Sequence, residues 1–540
     1  MLFNKRIGFK TNLAESSTYP SSFADPGKPK DSEEKDLCDV TGHCGPWQLR
    51  TFVIFLFISF SCSWHNLIMA FQSPNVPHYC KQTHHNISHS ILLSDKRFEC
   101  YDGPHPCQEW IYDDSIYTNT IVNEWDLVCD KKWLTSFAKS VYMFGHLVAS
   151  LIFGQVSDRI GRRPVILFCY GLFWCCAVAT VFTNSIGMFL FFRFLVALGL
   201  TAAYTSAFVT VMEVMGSEVR PVYGVACKFG WTCGYVTLPA IAWFIRDWRP
   251  LQVAITLPWA AMILMLWLLE ESPRWLLITG QAEKAETLLL SACIRNGKSP
   301  DDVQVPLLKL CSRALKERSS LNKKESIMDL LKYPNLRRST FHQFFIWFST
   351  SLVYYALTWS TNELEGDPYW NFFLAGLVEF PATLSSMYIA KFYGRRKPLS
   401  NASFVAGAIL AVYSGMVARQ DSKGKLALFM MAKFCTVISF TLLYVYSSEL
   451  FPTAVRGVGV GYCSTAARVG AILAPFVAHM GGHSQPHLCY WAYGLLCATC
   501  GLCILLLPET SNRKLPDTLL DGEQFHRNDV IISCKTLSNP

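Results

Sequence analysis

The stretch Gly154-Gln155-Val156-Ser157-Asp158-Arg159-Ile160-Gly161-Arg162-Arg163-Pro164 constrains this chain more than any other. It separates two long apolar runs, near 134–153 and 165–183. Each run is close to the ~20 residues a helix needs to cross a bilayer. A charge-dense turn between two such runs has no place in a soluble core. It reads as a short loop at a membrane face, and its three arginines put that face in the cytoplasm, because short cytoplasmic loops carry the excess of Lys and Arg. This one assignment orients every other segment.

The composition agrees. The 540 residues are 51% hydrophobic and 16% charged, against about 25% charged in soluble proteins. The net charge of +8 comes from basic residues that gather in segments the topology makes cytoplasmic, a topology signal rather than a nucleic-acid footprint. Most of the 21 cysteines sit inside apolar runs, such as Cys175, Cys176, Cys497 and Cys500, where they act as small apolar side chains. Residues 1–47 are polar, with Pro and Ser, and read as a disordered cytoplasmic tail with no cleavable signal peptide.

Twelve apolar runs are expected to span, near 50–71, 134–153, 165–183, 188–212, 222–245, 251–269, 340–360, 371–390, 399–418, 426–447, 457–479 and 488–507. The fold class is therefore an all-α membrane protein with twelve transmembrane helices, and the even count leaves both termini cytoplasmic. The segment 270–339 holds thirteen Lys and Arg, and 391–398 holds Lys391, Arg395, Arg396 and Lys397. The outer turns at 184–187, 361–370 and 480–487 hold none, whereas Arg246/Arg249 and Arg419/Lys423/Lys425 run against the bias.

The first outer loop, 72–133, is the long one. It carries Cys80, Cys100, Cys107 and Cys129. Four cysteines in an oxidising compartment imply two disulfides, with three pairings open. Asn86-Ile87-Ser88 is a glycosylation sequon in the same loop. A second sequon, Asn401-Ala402-Ser403, falls at a cytoplasmic helix end and reads as chance.

An internal repeat organises the rest. Gly161-Arg162-Arg163 recurs as Gly394-Arg395-Arg396, at an offset of 233. Glu213 and Arg220 recur as Glu449 and Arg456, at 236, and Leu268-Leu269-Glu270-Glu271-Ser272 recurs as Leu506-Leu507-Pro508-Glu509-Thr510, at 238. Each landmark stands at a cytoplasmic helix end. Two parallel six-helix halves follow, 48–269 and 340–507, joined by a cytoplasmic linker 270–339 and followed by a tail 508–540. Such halves are related by an axis along the membrane normal. The copy departs at one point: Asp158-Arg159 is matched by Lys391-Phe392.

The loop at 154–164 resembles the signature Gly-x-x-x-Asp-Arg-x-Gly-Arg-Arg of the major facilitator superfamily. The resemblance implies that Asp158 reaches a helix N-terminus across the cytoplasmic gap between the bundles, where a carboxylate is favoured, and locks the outward-facing state. Three further stretches resemble the organic cation, organic anion and carnitine transporter family: Ile121-Val122-Asn123-Glu124-Trp125-Asp126-Leu127-Val128-Cys129-Asp130, Glu271-Ser272-Pro273-Arg274-Trp275-Leu276, and Tyr444 to Arg456 with its Ser448-Glu449-Leu450-Phe451-Pro452. Segment 234–276 looks nearest the carnitine branch. The resemblance implies gating roles for Asp158, Arg159, Gly161, Arg162, Arg163, Glu271 and Arg274, and the residues themselves make Glu213–Arg220 and Glu449–Arg456 gating ion pairs.

Ionisable side chains within membrane helices are costly and mark function by default. The candidates are Lys139, Arg193, Glu213, Lys228, Glu379, Lys433 and Arg468. Arg193 and Lys139 lie near outer ends and can snorkel. Glu379 and Arg468 sit mid-helix and are the informative pair. The resembling cation transporters carry an acid at the position of Arg468, while the anion transporters carry a Lys where this chain has Thr383. The combination implies a zwitterion: its ammonium on Glu379, its carboxylate on the Arg468 fork. The alternative is that Glu379 and Arg468 pair with each other. Trp347 and Tyr354 share a helix face, with Tyr355 beside it, and match the family's aromatic wall, which suits quaternary ammonium groups. Tyr444 joins them, with Tyr446 and Trp64 as further candidates.

An ATP-driven pump needs a phosphate-cradling loop, and Gly297-Lys298-Ser299 lacks the first glycine, with Ala292 in its place. No metal-ligand spacing or nucleophile–base pattern points to an enzyme. The expected function is a polyspecific secondary transporter that moves small organic ions, carnitine-like zwitterions or organic cations, across the plasma membrane by alternating access. An organic anion transporter is the alternative, and a receptor or channel without carrier flux is the rival class. No cofactor is expected, sodium or proton coupling stays open, and the partners are the bilayer and a small organic ion.

Overall fold

The computed structural model describes residues 41–81, 98–102, 105–216, 218–299, 327–419, 424–453, 455–480, 486–511, 513, 516 and 518–525. The Asn86 sequon, and the greater part of both tails, lie outside them.

Twelve long helical segments cover the twelve apolar runs. In the first half they are α1 (Pro46–Leu67), α2 (Trp133–Ile160), α3 (Arg162–Val181), α4 (Ile186–Val214), α5 (Lys228–Phe244, after a short Arg220–Ala226 helix) and α6 (Trp248–Thr256, continued through Ala260–Leu266). In the second they are α7 (Pro334–Ser360), α8 (Pro368–Phe392), α9 (Arg396–Ala418), α10 (Lys425–Leu450), α11 (Arg456–Met480) and α12 (Pro486–Leu505). Ten are long and apolar enough to cross a membrane. Of the other two, α5 is shortened by the break at Cys227, and α7 carries buried Ser339, Thr340, Gln343, Ser349, Thr350 and Ser351.

Helix pairing shows the repeat in three dimensions. Within the first half α1 packs on α5, α2 on α4 and α3 on α4; within the second α7 packs on α11, α8 on α10 and α9 on α10. Across the halves α2 packs on α11 and α5 on α8. Exchanging the halves turns one of those contacts into the other, as a two-fold axis along the membrane normal requires. The closest approaches repeat as well. A Cβ on Gly234 would collide with the Phe60 carbonyl of α1, and one on Gly470 with the Phe348 carbonyl of α7. Small residues permit such contact where lipid leaves no hydrophobic drive between helices.

The outer loop forms a small cap. Strand β1 (His78–Cys80) pairs antiparallel with β4 (Trp110–Tyr112), and β2 (Tyr101–Asp102) with β3 (His105–Pro106). The open choice of pairing resolves as Cys80–Cys107 and Cys100–Cys129. Three of the basic residues that defied the charge bias have local partners, and Lys423 lies outside the described residues. Arg249 pairs with Glu124 of the cap, whose carboxylate also accepts the Trp248 indole N–H at 2.7 Å; Arg246 donates to the Ser115 carbonyl at 3.2 Å; Lys425 pairs with Glu365 at 2.9 Å.

Two segments that flank the first helical half are more structured than the composition suggests. The end of the N-terminal tail is anchored: Asn296 donates to the Thr41 carbonyl at 2.9 Å, and the Trp47 indole donates to Glu270 at 2.7 Å. The linker holds helices Pro273–Thr279 and Ala282–Arg295, which bury Trp275, Leu276, Leu289 and Cys293 against each other. Arg274 points to solvent.

Candidate functional site

The turn at Gly161 is built so that backbone and side chains converge on one carboxylate. Gly161 ends α2 with φ +106°, a left-handed conformation that L side chains rarely adopt. A Cβ there would also meet Glu271 Oε2 at 2.5 Å. The turn aims the Arg162 and Arg163 N–H groups, at the start of α3, at the Glu271 carboxylate, 2.9 and 3.2 Å away. A carboxylate at a helix N-terminus is favoured by the unpaired N–H groups and the dipole. The buried Arg162 side chain then spans Asp158 (2.9 Å), Glu213 (3.1 Å) and the Ser157 carbonyl (3.0 Å). Arg163 reaches the Trp267 carbonyl, and Arg159 is exposed.

The second half repeats this arrangement. Gly394 has φ +82°; the Arg395 and Arg396 N–H groups donate to Glu509; Arg395 pairs with Glu449 at 2.9 Å and donates to the Ala390 carbonyl at 2.8 Å. The expected Glu213–Arg220 and Glu449–Arg456 pairs are therefore corrected. The seven-residue spacing holds, but the chain leaves the helix at Met215 and Phe451. Arg220 turns back to donate to the Met215 carbonyl at 3.1 Å, and each glutamate is taken by the loop arginine of its own half.

The hydrogen bonds that join the halves stand at the outer and middle levels. Asn362 donates to the Ala70 carbonyl at 2.5 Å, Tyr369 to the Ile116 carbonyl at 3.2 Å, and Ser140 to the Ile472 carbonyl at 2.6 Å. Phe71 stacks on Tyr369 at 5.4 Å. The outer face is closed. Asp158, expected to cross to the other half, pairs inside its own half with Arg162, its side chain 68% exposed.

Mid-membrane, the structure separates Glu379 from Arg468. Glu379 accepts from the Tyr354 hydroxyl at 2.6 Å and lies 3.7 Å from the Lys433 ammonium. Lys433 is fully buried, donates to Thr358, and sits over the Tyr354 ring at 4.0 Å. A buried cation of this kind is tolerated only with a counter-charge. The alternative Arg468–Glu379 pair is thus not made. Arg468 is half-buried and donates to the Ser464 carbonyl at 3.0 Å and hydroxyl at 2.5 Å. Among the described residues no carboxylate stands against it.

The aromatic residues divide. Trp347 is fully buried, donates its indole N–H to Ser447 at 2.8 Å, and packs on Tyr444 at 4.4 Å. It and Tyr354 hold the wall together from behind, Tyr355 is half-buried, and Tyr444 is the open face, 40% exposed. One contributor, Phe440, was not singled out from the sequence, and two, Lys228 and Lys433, were candidates whose partners the sequence did not show. Phe440 completes the cluster, 5.5 Å from Tyr354 and 5.6 Å from Tyr444. Lys228 of α5 crosses from the other half to donate to Thr441 at 2.7 Å, over the Phe440 and Tyr444 rings at 5.9 and 5.7 Å. Lys433 takes the partner that Arg468 was considered for. One intramembrane lysine or arginine signals function, but its partner depends on helix rotation, which an apolar sequence does not encode. Arg193, read as snorkelling, is 1% exposed, donates to the His65 carbonyl at 3.1 Å and stacks on Tyr142 at 4.2 Å. At 1% exposure its guanidinium does not reach the surface.

Two six-helix halves closed on one face, with charges lodged between them, define a membrane carrier of the major facilitator type. The chain belongs to the sugar (and other) transporter family, whose model matches residues 72–518, and within it to the organic cation, organic anion and carnitine transporters. It is 34% identical over 520 residues to the Drosophila melanogaster organic cation transporter protein, covering 91% of this chain and 94% of that one. It is 34% identical to human organic cation/carnitine transporter 2 (78% and 73% covered) and 30% identical to rabbit (Oryctolagus cuniculus) organic anion transporter 3 (91% and 93%). The proton:xylose symporter XylE shares the fold, with a TM-score of 0.60 at 16% identity over 89% of this chain and 99% of that one. The protein is a transporter and not an enzyme.

Proposed function

We propose that this carrier moves small organic ions bearing a carboxylate, zwitterions of the carnitine kind and organic anions, in preference to simple cations, across the plasma membrane with both termini in the cytoplasm. The observation that carries this reading is the charge count between the halves. Among the described residues, Lys228, Lys433 and Arg468 face a single carboxylate, Glu379, which Lys433 and Tyr354 already occupy. A mid-membrane space with cations in excess favours an anionic group. Arg468 offers the planar donor fork that matches a carboxylate, and Lys228 lies against the same Tyr444 ring. The curated relatives include both carnitine and organic anion carriers, which supports the class. Simple organic cations would have to displace Lys433 from Glu379 to find a counter-charge.

Isotope counterflow in proteoliposomes tests this, with carnitine, benzoate and tetraethylammonium, each with and without sodium. Carnitine or benzoate should exchange at least tenfold faster than tetraethylammonium. Equal or faster exchange of tetraethylammonium contradicts the reading, and labelled solute that equilibrates without exchange indicates a channel. The sodium arms decide ion coupling.

A further inference from the structure

Lys228, the first residue of α5, reaches from the first half to the aromatic wall of the second. Beside it Phe229 stacks on Phe380 of α8 at 6.1 Å, which seats this end of α5 against the second half. The Lys228 ammonium donates to the Thr441 hydroxyl at 2.7 Å and lies over the Phe440 and Tyr444 rings at 5.9 and 5.7 Å. Both rings are within the ~6 Å at which an aromatic face attracts a cation. Thr441 is itself buried and donates to the Val437 carbonyl at 2.9 Å, so the acceptor that positions the ammonium is fixed.

The rings are held in place from behind. Buried Trp347 packs on Tyr444 at 4.4 Å, and buried Tyr354 stacks on Phe440 at 5.5 Å. Phe440 and Tyr444 are thus the accessible part of the wall, and the lysine lies on it. Among the described residues Lys228 makes no ion pair: it feels the charge of Glu379, but Lys433 and Tyr354 hold that carboxylate. An intramembrane lysine without an ionic partner is a functional residue by default. The repeat sets it beside Arg468. The offset of 236 that matches Glu213 with Glu449 also matches Lys228 with Ser464 and Thr232 with Arg468. α5 therefore carries its cation one turn before the position where α11 carries Arg468. Arg468 donates to the Ser464 hydroxyl at 2.5 Å, and Tyr444 lies beside both. Two of the protein's own cations meet at this one ring.

We propose that Lys228 is a specificity-determining residue: a tethered ammonium that occupies the Phe440–Tyr444 face where a substrate cation would bind, and so keeps simple organic cations out. A zwitterion offsets the repulsion with a carboxylate that Arg468 and Lys228 both attract. A bare cation brings nothing to offset it. This role rests on the function proposed above, of which it names the determinant.

The test is uptake of labelled tetraethylammonium and benzoate by cells expressing the full-length protein, normalised to surface expression, in wild type, Lys228→Met and Lys228→Arg. Lys228→Met should raise the ratio of tetraethylammonium to benzoate at least tenfold, with a gain in tetraethylammonium uptake itself. Lys228→Arg keeps a cation over the rings and should stay within threefold of wild type. A Lys228→Met protein that reaches the surface with an unchanged ratio overturns the proposal, and an equal fall in both substrates, the mark of a purely structural lysine, does the same. So does a ratio that rises only through lost benzoate uptake, since the lysine would then read anions without blocking cations. The wild-type ratio is judged separately. Wild type that takes up tetraethylammonium as fast as benzoate contradicts the preference for carboxylates, and the change on Lys228→Met still decides the role of the lysine. Should Lys228→Met fail to reach the surface, Lys228→Cys provides the second measurement. Aminoethyl methanethiosulfonate, which restores an ammonium, should suppress its tetraethylammonium uptake at least fivefold relative to wild type treated alike. Methyl methanethiosulfonate, which restores no charge, should leave it unchanged, and equal effects of the two reagents overturn the proposal.

Discussion

At the arginine turn after the second helix of each half the two halves are near copies, and at mid-membrane they are not. Glu271, Glu213 and the Ser157 carbonyl gather round Arg162 as Glu509, Glu449 and the Ala390 carbonyl gather round Arg395. The same offsets carried to the membrane centre match Glu379 with His146, Lys433 with Ala197 and Arg468 with Thr232. The duplicated part is the part that both halves must share if each is to rock as a rigid body against the other. The divergent part is chemistry, and the second half holds most of it. Lys228 is the first half's contribution to the same space. Asp158, where the second half has Lys391, breaks the copy at this turn.

The largest effect is expected where the halves differ most. Glu379→Gln leaves the Lys433 ammonium buried without a counter-charge, a cost of about 3–5 kcal/mol. Surface expression should collapse, and Glu379→Gln combined with Lys433→Met should restore it. His146→Gln, at the matching position of the first half, should express normally. Surface biotinylation of the four proteins reads this, and normal expression of Glu379→Gln alone would show that Lys433 does not depend on it.

Next come the matched arginines. Arg162→Ala and Arg395→Ala should each lower thermal stability, at the lower end of that range, about 3 kcal/mol. The loss should be greater at Arg162, whose side chain is 9% exposed against 22% for Arg395. Thermal melting in one detergent compares them, and a silent Arg395→Ala would break the claim that the two clusters do the same work.

The cap belongs to the first half only, and its anchor should be weaker and sensitive to acid. Burial would raise the Glu124 carboxyl, but the Arg249 guanidinium and the Trp248 indole outweigh it and hold the group below its ordinary 4.5. A depressed carboxyl contributes stability above its unfolded value and loses it as pH falls through its folded value. Arg249→Ala should therefore cost about 1 kcal/mol at neutral pH, and the difference from wild type should shrink in acid. A difference that stays constant down to pH 3 would count against the pair.

The smallest effect on stability belongs to the break in the copy. Asp158 is 68% exposed and its pair with Arg162 is of the surface kind, worth less than about 1 kcal/mol. Asp158→Asn should melt like wild type yet change the maximal transport rate, with half-saturation unchanged, because it biases the exchange between states rather than the site. A large rise in half-saturating concentration at constant maximal rate would contradict this.

Much of the frame was legible before any coordinates. Twelve runs of spanning length and the three repeated landmarks carry halves and axis, since each depends on local composition. The four outer cysteines were legible as two bridges but not as a pairing, which depends on how β1 meets β4 and β2 meets β3. Partners between helices were less legible. In a soluble helix the apolar stripe shows which side faces in; α4 and α10 are apolar on nearly every side, so rotation is left to packing. That is why Glu213 and Glu449 were paired with the nearest arginine along the chain, why Trp347 was expected at the open wall, and why Lys433 and Lys228 stayed undecided.

The central claim is that Arg468 reads the carboxylate of the substrate. Loss of two charge-assisted hydrogen bonds, each about 1.5–3 kcal/mol, should weaken carboxylate binding at least tenfold, since about 1.4 kcal/mol is tenfold. The direct measurement is the ratio of carnitine to tetraethylammonium uptake in Arg468→Asp, normalised to surface expression. The expected result is a fall of tenfold or more, through lost carnitine uptake and gained cation uptake. A variant that reaches the surface normally and keeps the wild-type ratio would show that Arg468 does not read the substrate.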